Sequence, residues 1–204
     1  MATWSEIEAA APELAGRARA AFDAHKHKVL ATLRRDGSPR ISGIEATFAD
    51  GELWLGMMPG SRKALDLRRD PRFALHSGSE DPPGWSGDAK LAGVAEEITD
   101  PALVQEMNGE AASPGQSHLF RLDLREVSTV GLNEQRNGLV IDIWTPEGGV
   151  QAQSPSYVAP LPSSTVPAKK RVWVLAPTVV SHGTFDGLKM LPAPGPEFPA
   201  EFAT

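Results

Sequence analysis

Residues 27–58 read HKVLATLRRDGSPRISGIEATFADGELWLGMM, with Asp-Gly pairs at 36–37 and 50–51. Asp-Gly is the strongest short-range hairpin signal, because glycine readily takes the positive φ that a tight turn between twisted strands demands. The runs 27–34, 39–48 and 52–58 alternate apolar and polar residues, as half-buried strands do. The stretch therefore predicts three antiparallel strands in a meander. In the middle run, Arg40, Ser42, Ile44, Ala46 and Phe48 share one face.

Working outward, residues 59–71 (PGSRKALDLRRDP) predict a short helix over 61–69. Ser61 is a good N-cap, and Asp70-Pro71 stops the helix. Strands follow at 72–77, 89–98, 118–128 and 139–144, with a second helix at 101–109 opened by Asp100-Pro101. In 118–128, Phe120, Leu122 and Leu124 face one way, and Leu119 is the exception. Upstream, residues 5–24 read as a helix with Ser5 and Glu8 as a capping box, and Pro12 predicts a break near Ala11. The fold class is mainly β with a few helices. Of these seven runs, six main strands in hairpin order bury best as a small antiparallel barrel, which leaves few exposed edges. The organisation expected is a helical segment at 1–24, a barrel domain at 25–148 and a Pro-rich segment at 149–204. Half of the 18 prolines fall in 151–204. That segment reads as a mostly disordered tail, or else as an extended strap over a partner subunit, with an isolated strand at 171–180.

The totals exclude several chemistries. The 204 residues carry a net charge of −6 and no cysteine. Thiolate catalysis and cysteine-ligated metals are ruled out, and no basic face is expected for nucleic acid. No apolar run reaches the ~20 residues of a membrane span. The N-terminus lacks the basic-then-apolar pattern of a secretory signal, so the default location is cytoplasmic. The motifs G-x-S-x-G, G-x-x-x-x-G-K-[ST], H-E-x-x-H and G-x-G-x-x-G are absent. His25 and His27 have no third ligand at a useful spacing, so no metal site is expected. His76 and His118 read as structural histidines, and Glu96-Glu97 as a rim or solvent-facing pair.

What remains is a group of positive charges. Arg62 and Lys63 occupy the first turn of the 61–69 helix, where the dipole favours anions over cations. Either both side chains are solvated, or an anion such as phosphate sits there on free N–H groups and the Ser61 hydroxyl. Arg40 is expected near this helix start, and Lys90 is a further candidate. Gly43 and Gly56 interrupt apolar strands and mark either bulges or the close approach of a ligand.

The pattern G-S-R-K-A-x-x-L-x-x-D-P-R at 60–72, after a strand ending L-W-L-G, resembles the pyridoxamine phosphate oxidase-like family of flavin-binding split barrels. The likeness runs over about residues 25–147 and includes S-P-R-I-S-G at 38–43. The resemblance implies a six-stranded antiparallel split barrel of the FMN-binding type. It implies that Ser61, Arg62 and Lys63 hold the cofactor phosphate and that Arg40, Ile41, Ser42 and Gly43, on to Glu45, lie along the isoalloxazine ring. Leu55 and Gly56 match a second contacting stretch, and Lys90 or Asp88 falls at a further contact. The cofactor implied is FMN, or alternatively the deazaflavin coenzyme, held at the interface of a homodimer. Two departures separate the chain from true pyridoxamine phosphate oxidases: nothing like R-L-H-D-R follows Trp144, and residues 107–117 read MNGEAASPGQS. The activity implied is hydride transfer to or from a small organic substrate, with no catalytic side chain identified. The alternatives are a protein of the same fold that sequesters a flavin-type cofactor without turnover, and an interaction barrel with no cofactor.

Overall fold

The computed structural model describes residues 2–81, 83–109, 117–136 and 138–153. Helices α1 (Trp4–Ala10) and α2 (Pro12–Asp23) come first, followed by strands β1 (Lys28–Leu33), β2 (Pro39–Ile44), β3 (Thr47–Ala49) and β4 (Glu52–Met57). Then come α3 (Arg62–Arg69), β5 (Arg72–His76), β6 (Asp88–Ile98), α4 (Pro101–Asn108), β7 (His118–Leu132), β8 (Leu139–Thr145) and β9 (Gly149–Gln153). All strand pairs are antiparallel, in the order β2-β1-β5-β6-β7-β4-β3, with β8 added to β7 and β9 to β8.

The first hairpin is as the sequence predicts, with β1 and β2 paired from Lys28↔Ile44 to Leu33↔Pro39. The predicted strand 39–48 is instead two strands. It breaks at Glu45-Ala46, and only β3 pairs with β4, across Asp50 and Gly51, which both have positive φ. β4 then pairs with β7 and not with β2. The three runs are therefore not one continuous meander. β2 and β3 stand at opposite ends of the strand path yet are joined by two residues, so the sheet curls until its ends meet. Alternation continues through such a bend, because Ile44, Ala46 and Phe48 keep one parity, and periodicity cannot reveal it.

Inside the curl lies one apolar row. Leu30, Leu75, Leu91, Val127 and Trp144 are consecutive cross-strand partners, and all are buried. On β7 the inward phase shifts by one residue between Leu124 and Val127. The β6–β7 register slips there, after Ala92, so both leucine and valine point inward. Leu119, the exception to the alternation, is buried on the other face with Trp54 and Val104 beneath α4.

The N-terminal helices close the core, contributing Trp4, Ile7, Leu14, Ala18 and Phe22 to the same buried cluster. Pro12 starts the second helix, as expected. The capping box is Thr3 with Glu6, two residues before the predicted Ser5 and Glu8. Starting at Thr3 puts Trp4 in the first turn, where it is buried, and the Trp4 indole donates to Glu8. Residues 149–153, expected in the tail, pair with β8 as β9. The Gly148-Gly149 turn allows the hairpin, which lies outside any hydrophobic pattern. The predicted strand 171–180 lies outside the described residues, and so do 154–204 as a whole. Among the described residues, no helix is long and apolar enough to cross a membrane.

Candidate functional site

The sequence of α3 makes it amphipathic. Ala64, Asp66 and Leu67 face inward, while Arg62, Leu65, Arg68 and Arg69 face out. Ser61 caps the helix, its hydroxyl accepting the Ala64 N–H at 3.4 Å. Gly60 precedes the cap at φ +64, in the left-handed region. No acidic residue lies in the first turn. Among the described residues, the exposed Arg62 guanidinium has no hydrogen bond or ion pair. The half-buried Lys63 ammonium donates to the Gly43 carbonyl at 2.6 Å, and burial pushes its pKa below the usual lysine value. Two of its three protons remain available.

Two side chains hold α3 beside β2. Lys63 reaches Gly43, and the Arg40 guanidinium donates from Nε to the buried Asp66 carboxylate at 2.6 Å. Thr32 and Arg69 complete the bonding of Asp66, at 3.0 and 3.1 Å. Arg40 therefore does lie close to the helix, but through α3 packing against β2, not through pairing of β2 with β4. Its Nε is committed to Asp66.

Among the described residues, β2 is an edge strand, paired with β1 alone. The Gly43 carbonyl points away from β1, toward α3. Backbone alternation puts the N–H and C=O groups of Ile41 and Gly43 on that same free side. Ile41 is 74% exposed, and a Cβ added at Gly43 would meet nothing within 4 Å. Among the described residues, Gly43 thus has no packing reason to be glycine. Gly56 does have one, because a Cβ there would collide with the Asn108 carboxamide oxygen. Of the two strand glycines read as ligand markers, only Gly43 borders open space.

The remaining predicted residues fall into two groups. Ser42, half-buried, follows Arg40 on the inward-facing side of β2. Leu55 is fully buried in the core, which removes its side chain from any ligand. Lys90 shares a cross-strand row with Gly43 by way of Val29 and His76. Three strand spacings put Lys90 about 14 Å from Gly43, well away from α3. The structure thus brings together Arg40, Ile41, Gly43, Ser61, Arg62 and Lys63, buries the Leu55 side chain in the core and sets Lys90 apart.

Sequence reasoning missed the groups that hold α3 in place. Glu97, read as solvent-facing, accepts a fork from Arg68 at 2.6 and 2.7 Å and lies 2.9 Å from His118 Nδ1. Burial acts to raise the Glu97 carboxyl, but the Arg68 and His118 hydrogen bonds outweigh it and hold the group below its usual range. Its neighbour Glu96 pairs with Arg121. His118 is buried, and its Nε2 accepts the Gly60 N–H at 3.2 Å. The alternation of β6 and β7 hinted that these side chains share a sheet, but not that a helix lies over them.

The family model described as pyridoxamine 5′-phosphate oxidase matches residues 14–131. Among solved structures, the chain is similar to PhzG from Burkholderia lata 383, determined with tetrahydrophenazine-1-carboxylic acid. That match has 14% identity, covers 74% of this chain and 92% of that one, and has a TM-score of 0.50. A pyridoxamine 5′-phosphate oxidase-related, FMN-binding protein from Nostoc punctiforme PCC 73102 matches at 14% identity, over 72% and 96% of the two chains, with a TM-score of 0.47. An F420 reductase matches at 16% identity, over 54% and 94%, with a TM-score of 0.42. At such identities the likeness concerns the fold. No curated protein matches the chain.

Proposed function

The chain belongs to the pyridoxamine 5′-phosphate oxidase family, and from that premise we propose that it is a flavin- or deazaflavin-dependent oxidoreductase. The observation that carries the reading is the Lys63–Gly43 hydrogen bond, at 2.6 Å. It ties the cationic start of α3 to the free edge of β2. A phosphate end and a planar ring end of one ligand thus have adjoining places.

The donor set fits a phosphorylated, ring-bearing cofactor. Arg62 and the remaining protons of Lys63 supply charge to a phosphate, and the first N–H groups of α3 add donors. The Ile41 and Gly43 backbone groups suit the polar edge of an isoalloxazine or deazaflavin ring. Glycine at 43 leaves the ring room to approach. When bound, FMN or the deazaflavin coenzyme supplies the hydride chemistry. The chain's own part is to bind the phosphate, to align the ring along β2 and to keep water from its inner side with the buried wall behind Ile44. FMN is the cofactor proposed first, and the substrate is a small organic molecule.

The active form proposed is a homodimer. The outer sheet face carries Ile41 and Val29, 74% and 41% exposed, together with the exposed Ala74. A second copy covering this face would enclose the ring beside β2.

The test is the visible absorption spectrum of the purified protein, with mass spectrometry of any ligand released by acid. Release of FMN or of the deazaflavin supports the reading and identifies the cofactor. Arg62→Ala with Lys63→Ala is expected to abolish retention while leaving the far-ultraviolet circular dichroism intact. A colourless protein that binds neither cofactor on titration overturns the proposal. Tight binding with no substrate-dependent reoxidation would instead make it a cofactor-sequestering protein.

A further inference from the structure

Both ends of α3 lead to one carboxylate. Arg68, in its last turn, forks onto Glu97. Gly60, just before its cap, donates its N–H to His118 Nε2, and His118 Nδ1 lies 2.9 Å from the same Glu97. An Nε2 that accepts a backbone N–H carries no proton, so Nδ1 holds the proton and donates it to Glu97. His118 also has its backbone carbonyl held by Asn108 at 3.3 Å, and its side chain is only 6% exposed. The imidazole is therefore fixed on β7, Glu97 is fixed on β6, and the helix is suspended between them.

We propose that His118 and Glu97 are positioning residues for an anion bound at the start of α3. The inference rests on the phosphate reading above and extends it to residues that touch no ligand. Gly60 is the hinge of the loop 58–60. With its N–H held, the loop keeps one conformation, and Ser61, Arg62, Lys63 and the first free N–H groups converge on one point. Without the bond, a glycine at positive φ has other conformations available. Ordering that loop would then fall on the binding step and weaken affinity for the phosphate. Contacts along β2 would be left as they are, so the ring should not sense the change.

This distinction sets the experiment. Binding of FMN and of riboflavin, which has the ring without the phosphate, is measured by fluorescence quenching for the wild type, His118→Ala, His118→Gln and Glu97→Gln. Wild type is expected to prefer FMN. In His118→Ala the FMN preference over riboflavin should fall about tenfold, the upper end of what one hydrogen bond between neutral groups is worth. Glu97→Gln should lower it as well, because the tautomer and the Arg68 fork both depend on the carboxylate. His118→Gln, whose carbonyl oxygen can take the Gly60 N–H, should retain most of the preference.

A purely structural role would weaken both ligands alike or neither. An unchanged FMN-to-riboflavin ratio in His118→Ala overturns the positioning role while leaving the phosphate reading in place. If His118→Ala does not fold, an unchanged ratio in Glu97→Gln overturns it in the same way. A wild-type protein that binds FMN and riboflavin equally, or that binds neither of them nor the deazaflavin coenzyme, overturns both readings together.

Discussion

Asp66 shows how one residue can join stability to the site. Its carboxylate is 4% exposed and receives Arg40, Arg69 and Thr32. Burial acts to raise its pKa, and these three donors outweigh that and hold it below the ordinary 3.8. A carboxyl whose folded value lies below its unfolded value contributes its full stability above the unfolded value. That stability is lost as pH falls through the folded one. Asp66→Ala should therefore cost about 3 kcal/mol at pH 7, because it strands the Arg40 charge. The gap from wild type, measured by urea unfolding, should narrow below pH 3.8 as the wild-type carboxyl is protonated. The strand glycines give a second residue-scale outcome. Gly56→Ala should destabilise by less than about 1 kcal/mol, because the added Cβ meets only the carboxamide end of Asn108, which can swing aside at the loss of its hydrogen bond to the His118 carbonyl. Gly43→Ala should leave the unfolding midpoint unchanged or slightly raised, since no described residue lies within 4 Å of the added Cβ, yet weaken binding of the proposed cofactor. Both strand glycines were visible in the sequence. What each one makes room for depends on α4 for Gly56 and on open space for Gly43, and neither is local information.

At the scale of the element, α3 carries a local conflict. Cations at a helix start cost about 0.3–1 kcal/mol each. With no ligand present, Arg62→Glu should thus raise the thermal midpoint slightly. If the start of α3 holds the cofactor phosphate as proposed, adding FMN should reverse the ranking. A ligand at 100 times its Kd stabilises the wild type by about 2.7 kcal/mol, and the Arg62→Glu variant should gain almost none. Calorimetry with and without FMN checks both halves. The helix, its cap and its charge conflict were all legible in residues 59–71, because capping and dipole effects act within one turn. The tether from Lys63 to Gly43 was not, because it joins residues that are distant in sequence.

At the scale of the whole molecule, the helices that precede the barrel belong to its core. Trp4, Ile7, Leu14 and Phe22 are each at most 2% exposed. At about 2 kcal/mol apiece, their burial approaches the entire stability of a typical domain. Deleting residues 1–24 should abolish cooperative unfolding, which would show that the segment is not separable from the barrel. The outer face tests assembly: Ile41→Asp should reduce self-association in sedimentation velocity without lowering the stability of the monomer, because Ile41 is 74% exposed there.

Taken alone, the amino-acid sequence determined the features that local physics controls. Asp-Gly turns set the hairpins, alternation set the inward faces of the strands, and Pro12 and Asp70-Pro71 set helix ends. Tertiary structure alone decided what depends on closure. It turned the run 39–48 into two strands on opposite ends of the path, since a bend keeps side-chain parity and so leaves no trace in the pattern. It placed Glu97 and His118 beneath α3 and sent Leu55 into the core. Each of these outcomes depends on which elements pack together, and that is settled by burial across the whole chain.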